Sequence, residues 1–281
     1  MRVAIVGTSG AVGQEFLRVL AERNFPLTEL VLFGSARSAG SVYEFKGEKL
    51  TVKELKHGDD FKGIDIAFTS AGASISKEFA EDITKFGAVM IDNSSAFRME
   101  NDVPLVVPEV NAKDALDRPR NIIANPNCST IQLVMVLNPL HKKYGIKRVV
   151  VSTYQSVTGT GKDAVEQLNG EIEGRDVAKV YPYQIFKNAL PHCDVFDEET
   201  GYTKEELKLT REPRKIMRVD EMNITATAVR VPVQGGHSES VNIEFENDFD
   251  LAEVRKLLAE QEGVTVQDNP DTNTYPMAFY S

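Results

Sequence analysis

One cysteine and one histidine carry the most chemical information in this chain. Cys128 sits in Asn125-Pro126-Asn127-Cys128-Ser129-Thr130, after the apolar run Ile122-Ile123-Ala124 and before a helical pattern from Ile131 to Lys143. A thiol at a strand-to-helix junction lies beside the first unpaired amides of the helix. Those amides and the helix dipole favour negative charge, so the thiol ionises more readily than an isolated one. An ionised, partly exposed thiol is a nucleophile. Such a cysteine is equally at home as a small buried apolar residue, and the local sequence does not separate the two readings. His237 lies in the turn Gln234-Gly235-Gly236-His237-Ser238-Glu239-Ser240. Of the four histidines it alone stands on a glycine-rich turn between two strand patterns, a place that presents a side chain to a site. An imidazole there can exchange a proton near neutral pH.

The other chemistry-bearing residues have bland readings. His141, with Lys142, Lys143 and Gly145, suits the last turn and cap of the helix that Cys128 begins. Cys193 beside His192 is one short pair without a partner pair, so no metal site is expected. Arg98, in the polar loop Asp92-Asn93-Ser94-Ser95-Ala96-Phe97-Arg98, is able to bind an anion, although a lone loop arginine is ordinarily solvated. Glu205 to Met217 alternates charge at helical spacing, with Glu212, Arg214 and Lys215 in it, and reads as a solvated helix face. Arg230 breaks the alternation at the end of the strand pattern Asn223 to Val231.

A second kind of site is written near the start. The apolar strand Arg2 to Val6 runs into Gly7-Thr8-Ser9-Gly10-Ala11-Val12-Gly13, and an amphipathic helix follows from about Ala11 to Arg23. Strand, glycine turn and helix place a pyrophosphate on a helix N-terminus, with glycine where the backbone must approach the phosphates. The spacing is GxxGxxG, so its weight comes from its place in a β-α-β pattern. The second strand, Glu29 to Phe33, is followed by Gly34-Ser35-Ala36-Arg37-Ser38-Ala39-Gly40. A carboxylate for a ribose 2′-OH is missing there, whereas Arg37 with Ser35 or Ser38 suits a 2′-phosphate, so NADP is expected. Ile64 to Ser70 ends in the small residues Ser70-Ala71-Gly72, which leave room for a ring or a ribose.

The elements that must hold these residues alternate. A helix from about Ser76 to Phe86, then strands Ala88 to Ile91, Val103 to Val107 and Ile122 to Ala124, complete a mostly parallel sheet. Lys147 to Val157, with Gln155 near its end, starts a second domain. It continues with the loop Thr158-Gly159-Thr160-Gly161, a helix from about Lys162 to Leu168, the strand Val241 to Phe245, and a helix Leu251 to Gln261 capped by Asp250. The 281 residues suffice for one large or two ordinary domains. The composition, 42% hydrophobic and 26% charged, is that of a globular protein. A net charge of −10 argues against nucleic acid, and no apolar run reaches membrane-span length. Met1 to Gly7 turns to glycine too early for a signal peptide, and two cysteines make no disulfide framework, so the expected address is the cytoplasm.

Taken in order, the stretches Gly7 to Gly13, Ser35-Ala36-Arg37-Ser38, Asp92 to Arg98, Pro126-Asn127-Cys128-Ser129-Thr130, Ser152-Thr153-Tyr154-Gln155, Arg230-Val231-Pro232-Val233 and His237-Ser238-Glu239-Ser240 resemble the motifs of bacterial aspartate-β-semialdehyde dehydrogenases. The resemblance runs along nearly the whole chain. It implies an α/β fold: a Rossmann-type NADP-binding domain over residues 1–127, then an α+β catalytic and dimerisation domain over 128–281. It implies reversible conversion of L-aspartyl-4-phosphate to L-aspartate-4-semialdehyde with NADPH, releasing inorganic phosphate, on the route to lysine, threonine and methionine. Carried over by motif, Cys128 is the nucleophile, His237 the general acid/base, and Gln155 positions the acyl group. Arg230 pairs with the substrate α-carboxylate and Glu212 with its amino group. Asn127 contacts substrate, and Arg98 and Lys215 hold phosphate. The cofactor is met by Gly7 to Gly13, Ser35, Arg37, Ser38, Ser70 to Gly72, Thr158 and Gly159. A homodimer or higher homo-oligomer is implied. Family members continue past the point corresponding to Ser281 with a strand and a long helix bearing Asn-Leu-x-Lys-Gly-Ala, so a chain that stopped there is expected to bind cofactor less well. The alternatives are an acyl-phosphate reductase for N-acetyl-glutamyl phosphate, which needs no Arg230 and Glu212 to read a free α-amino acid, and a nucleotide-binding homologue impaired in catalysis.

Overall fold

The computed structural model describes residues 1–279; Tyr280 and Ser281, the end of the expected second domain, lie outside the described residues. The chain divides into two compact units, Met1–Pro126 and Asn127–Ser281.

The first unit is a six-stranded, wholly parallel sheet. Its strands are β1 (Arg2–Val6), β2 (Glu29–Gly34), β5 (Lys53–Glu54), β6 (Ile66–Thr69), β7 (Val89–Asp92) and β8 (Ile122–Ala124), in the order β5-β2-β1-β6-β7-β8. β1 occupies the middle because Val3 to Val6 are apolar on both faces and nearly inaccessible, as a strand covered on both sides requires. Val3 pairs with Leu30 on one side and Ile66 on the other. The helices α1 (Ala11–Glu22) and α2 (Ala73–Thr84) follow β1 and β6. Leu17 and Leu20 of α1 pack with Val3, Ile5, Leu30 and Leu32.

Three features of this unit depart from the sequence reading. The stretch 103–107 is not a strand. Leu105 makes only an isolated bridge to Ala124, since Pro104 has no N–H to give and Pro108 begins the short helix α3 (Pro108–Asn111). The hairpin of β3 (Val42–Phe45) and β4 (Glu48–Thr51) was not expected. It turns on Lys46 and Gly47, both with positive φ (50° and 85°), as a two-residue hairpin loop needs. The two-residue edge strand β5 was not expected either, being short and polar.

The second unit holds a three-stranded sheet, β10-β9-β11, of β9 (Ile146–Gln155), β10 (Asn223–Arg230) and β11 (Ser238–Phe245). β10 runs parallel to β9 and β11 antiparallel. The helix α4 (Cys128–Tyr144) buries Leu133, Leu137, Leu140 and Tyr144 against Val149 and Val151 of β9 and Leu209 of α6 (Lys204–Met217). Full burial of one such leucine stabilises by about 2 kcal/mol. α7 (Leu251–Glu260) adds Val254, Leu257 and Leu258 to that core. α5 (Lys162–Glu173) is longer than expected and ends at Gly174 in the left-handed conformation; it closes a smaller core of Val157, Leu168, Tyr181 and Ile185.

α6 corrects the reading of a solvated face. Glu205, Glu206 and Glu212 are all buried, at 6%, 9% and 2% exposure. Charge alternation hid them because every one is supplied with hydrogen-bond donors. Glu206 forms the capping box with Thr203 and also accepts from Ala228 N at 3.0 Å. Among the described residues no helix is long and apolar enough to cross a membrane.

Candidate active site

The second unit assembles its polar side chains around the start of α4. Asn127 is the N-cap. Its Oδ1 accepts from Ser129 N at 3.0 Å and Thr130 N at 3.2 Å, which satisfies two of the amides a helix start leaves open. Cys128, the first helical residue, follows the cap and is exposed. Its Sγ lies 3.2 Å from His237 Nε2. The two residues are 109 positions apart, and the turn before β11 brings the imidazole to the sulfur. His237 Nδ1 accepts from Ser156 N at 2.9 Å. Burial depresses the imidazole's pKa, and the Arg230 charge pushes the same way, against a smaller opposing pull from Glu205.

The amide of Asn127 leads to a buried polar network. Asn127 Nδ2 donates to Glu205 Oε1 at 2.9 Å, and Gln155 Nε2 donates to the same oxygen at 3.1 Å. Lys208 Nζ meets Glu205 Oε2 at 2.9 Å and Asp194 at 3.0 Å. Burial alone would raise the Glu205 pKa. The charge of Lys208 and hydrogen bonds from Lys208, Asn127 and Gln155 outweigh it and hold the carboxyl below the ordinary value. Glu205 and Lys208 were missed in the sequence. The signal was present only as Thr203-Lys204-Glu205-Glu206-Leu207-Lys208, a capping box that starts a helix. Glu212 behaves differently: its Oε2 accepts the main-chain N–H of Asn127 at 2.7 Å, so it steadies the cap. Lys215 is half-buried one turn further along the same helix.

Arg230, at the end of β10, is buried at 6% exposure. Its Nη1 donates to Ser156 O at 2.6 Å, its guanidinium stands 5.9 Å from the Tyr181 ring, and Nε is buried without a protein partner. Thr158 Oγ1 accepts from Gly235 N at 3.1 Å, which ties the loop after β9 to the histidine turn. Gly159 lies against the imidazole itself: a Cβ there would sit 3.0 Å from His237 Cε1. Cys193 is buried, its thiol pushed up to about 11 mainly by that burial, and so is inert near neutral pH. His192 stacks on Phe196. Among the described residues no group of three His, Cys, Asp or Glu could hold a metal.

The first unit holds the glycine turn. Gly7 has φ of +90°, and a Cβ on it would lie 2.4 Å from Ser70 O; one on Gly13 would lie 2.4 Å from Gly7 O. Both positions exclude any other residue, whereas a Cβ on Gly10 meets nothing nearer than 3.4 Å. Thr8 is buried, its hydroxyl donating to Ile5 O and Phe33 O. Ala11 and Val12 open α1 and face solvent. A cavity of about 350 Å³ is lined by Gly7, Ser9, Gly10, Ser35, Ser70 and Ala71, among others. Gly72, with φ of +91°, caps α2 beside it. Arg37 is exposed in the loop after β2, where Ser38 Oγ donates to Ser35 O at 3.1 Å. Glycines that a Cβ would fill, next to a cavity at the C-terminal ends of β1, β2 and β6, fit a dinucleotide. Arg98 is not the solvated loop arginine of the bland reading. It is buried, with Nε donating to Asn125 O at 2.9 Å and Nη2 to Asn93 O at 3.1 Å. The loop that carries it is fixed by Asp92, which accepts from Thr69, Ser76 and Ser94.

Comparison with known proteins agrees with both units. Residues 2–118 match the family model for the NAD-binding domain of semialdehyde dehydrogenases, and residues 137–279 the model for their dimerisation domain. Fold and matches together define an oxidoreductase of the semialdehyde dehydrogenase class. An aspartate-semialdehyde dehydrogenase of Aquifex aeolicus is 56% identical, over 98% of this chain and 83% of its own. The crystal structure of aspartate-semialdehyde dehydrogenase II from Vibrio cholerae, complexed with ASA, has a TM-score of 0.89 at 42% identity, covering 93% of this chain and 79% of that one. The Candida albicans aspartate-semialdehyde dehydrogenase structure with NADP has a TM-score of 0.73 at 27% identity, covering 92% and 76%. The chain belongs to the aspartate-semialdehyde dehydrogenase family.

Proposed function

We propose that this chain catalyses the NADP-dependent, reversible reductive dephosphorylation of L-aspartyl-4-phosphate to L-aspartate-4-semialdehyde, on the route to lysine, threonine and methionine, and that it works as a homodimer. The observation that carries the reading is the 3.2 Å approach of His237 Nε2 to Cys128 Sγ at the first residue of a capped helix. The α4 amides and the imidazole favour a thiolate. The thiolate displaces phosphate from the acyl phosphate to give a thioester, which accepts hydride more readily than a carboxylate would. NADPH, when bound, supplies that hydride. The residues that fit it are the glycine turn from Gly7 to Gly13, Ser70 to Gly72, and Ser35, Arg37 and Ser38 for a 2′-phosphate, with Thr158 and Gly159 as further contacts.

For the substrate, Gln155 orients the acyl group and Arg230 pairs with the α-carboxylate. Asn127 and the buried Glu205 face the α-amino group, and Lys208 with Arg98 attracts phosphate. Support for moving the amino-group role from Glu212 to Glu205 comes from the network: Glu205 joins Asn127, Gln155 and Lys208, while the Glu212 carboxylate is taken by a main-chain N–H. Lys208 takes the phosphate role first given to Lys215 because its Nζ meets Glu205 in that network.

The test is NADP reduction by aspartate semialdehyde with and without phosphate, beside N-acetyl-glutamate semialdehyde. Phosphate-dependent turnover of the first aldehyde alone, lost in Cys128→Ser, is expected. Turnover of the second aldehyde, or turnover that survives Cys128→Ser, would overturn the assignment.

A further inference from the structure

Arg230 stands where its strand asks for a small apolar residue. Ile224, Ala226 and Ala228 share its buried face of β10, and Arg230 ends that series. Its main chain is fixed on both sides. Arg230 N donates to Leu190 O at 2.8 Å, Leu190 N returns a bond to Arg230 O at 2.9 Å, and Val231 N donates to Gln155 O at 3.0 Å. Its head is met by one carbonyl and one ring: Nη1 donates to Ser156 O at 2.6 Å, and the guanidinium carbon lies 5.9 Å from the centre of the Tyr181 ring. Neither contact neutralises the charge. Burial is the main cause of the pKa shifts at Tyr181, Cys193 and His237, and the Arg230 charge acts at all three toward lower values.

Tyr181 is itself tightly framed. It is buried in the small core with Val157, Leu168 and Ile185, and its hydroxyl shares a hydrogen bond of 2.7 Å with Thr160 Oγ1. Burial raises the phenol's pKa against the pull of Thr160 and Arg230, so the ring stays neutral and leaves the arginine's charge unspent. The segment 175–189 that carries it forms no helix or strand, so its amides must find partners elsewhere. Two side chains one turn apart on α5 supply them. Gln167, fully buried, accepts from Val180 N at 2.7 Å and Tyr181 N at 2.9 Å through Oε1, and its Nε2 donates to Glu171 Oε1 at 2.8 Å. Glu171 Oε2 accepts from Ile185 N at 2.9 Å and Phe186 N at 2.8 Å. Apolar packing would keep Tyr181 inside; these four amide bonds set where along the segment it sits.

We propose that Tyr181 is a positioning residue for the substrate's α-carboxylate: its ring holds the Arg230 guanidinium in place, and Gln167 and Glu171 hold the ring. This rests on the α-carboxylate role given to Arg230 above and adds the residues that aim it. A cation over an aromatic face, away from water, is attracted to the ring. A long arginine ordered before the substrate arrives loses less freedom on binding it. Tyr181→Leu fills much of the same space with apolar atoms and removes only the face.

The experiment compares aspartate semialdehyde with 3-aminopropanal, the same aldehyde without the α-carboxylate, in phosphate-dependent NADP reduction by the full chain. In Tyr181→Leu the KM for aspartate semialdehyde should rise about fivefold or more, the scale of one buried cation–π contact, with kcat moving far less. The preference in kcat/KM for aspartate semialdehyde over 3-aminopropanal should fall by the same factor. Tyr181→Phe keeps the face and should restore both values. Damage to the fold lowers turnover of both aldehydes alike; an unchanged preference in Tyr181→Leu, or equal losses in Tyr181→Leu and Tyr181→Phe, would overturn the proposal. A second arm needs no substrate. In 1H–15N correlation of protein labelled with 15N-arginine, the Arg230 Nε–H, assigned by its loss in Arg230→Gln, should be resolved at neutral pH in the native protein and Tyr181→Phe and lost to exchange with water in Tyr181→Leu. Its persistence in Tyr181→Leu counts against the proposal. If Arg230→Gln leaves the KM for aspartate semialdehyde unchanged, the α-carboxylate reading fails, and the resonance arm still decides whether the ring holds the guanidinium.

Discussion

Asn127 and Glu205 join two helices by one hydrogen bond, Nδ2 to Oε1 at 2.9 Å. The residue that caps the cysteine helix is thus held by a carboxylate on α6, and that carboxylate in turn is charged because Lys208 is beside it. Placement of the helix cap and charge on the Glu205 carboxylate depend on the same contact.

Lys208→Met leaves the Glu205 carboxylate buried without its counter-charge. Breaking one half of such a pair costs about 3 kcal/mol of stability at neutral pH. The sign with pH follows from the lowered Glu205 value. A carboxyl depressed in the folded protein stabilises above its unfolded pKa, and that stabilisation is lost as pH falls through the folded one. The native protein should therefore lose stability below about pH 4.5. In Lys208→Met that acid loss should shrink. Urea unfolding at several pH values measures both.

Glu239 gives the opposite slope. Its carboxyl is raised to about 8, mainly by burial, with only a partial offset from Gln132, and Oε1 has no protein partner. The folded protein keeps a proton that the unfolded chain releases near 4.5. Its contribution is complete below 4.5 and disappears as pH rises through about 8. Stability should fall over that window with a slope of up to ~1.4 kcal/mol per pH unit. Glu239→Gln, neutral at every pH, should flatten it and be the more stable protein at alkaline pH, by the same unfolding measurement.

The glycine turn makes a graded prediction. Gly7→Ala and Gly13→Ala put a Cβ 2.4 Å from main-chain oxygens, and Gly10→Ala meets nothing closer than 3.4 Å. The first two should weaken NADPH binding at least tenfold and lower the melting temperature, while Gly10→Ala changes either far less. Fluorescence titration with NADPH reads the affinity. Equal losses at all three positions would contradict the close-approach argument.

Arg37 is exposed after β2, with Ser35 and Ser38 on the same turn. Arg37→Ala should cost on the order of 1.5–3 kcal/mol in NADPH binding, the range for a charge-assisted hydrogen bond, and leave NADH binding unchanged. Parallel titrations with the two dinucleotides test it; equal losses for both would show that Arg37 does not read the 2′-phosphate.

What the sequence disclosed and withheld has a physical pattern. Cys128, His237 and Gly7 to Gly13 were legible because each couples an informative residue type to a junction between elements. Residues 103–107 are as buried as a strand, yet prolines at 104 and 108 deny the ladder, and burial is what an apolar run reports. Glu205 and Lys208 were invisible for the converse reason. A buried charge is paired by residues distant in the chain, here Asn127 and Gln155, so its own segment looks like any solvated helix. Ser156 could not be found at all, because what it offers His237 is a main-chain N–H that every residue but proline possesses.

The central claim is that the sulfur of Cys128 carries the acyl group, and intact-mass spectrometry tests it most directly. The full chain is mixed with aspartate semialdehyde and NADP in phosphate-free buffer, then with phosphate. One aspartyl adduct, mapped by peptide analysis to Cys128, should accumulate in the first step and vanish in the second. No adduct while NADPH is formed, or the same adduct in Cys128→Ser, would contradict the account.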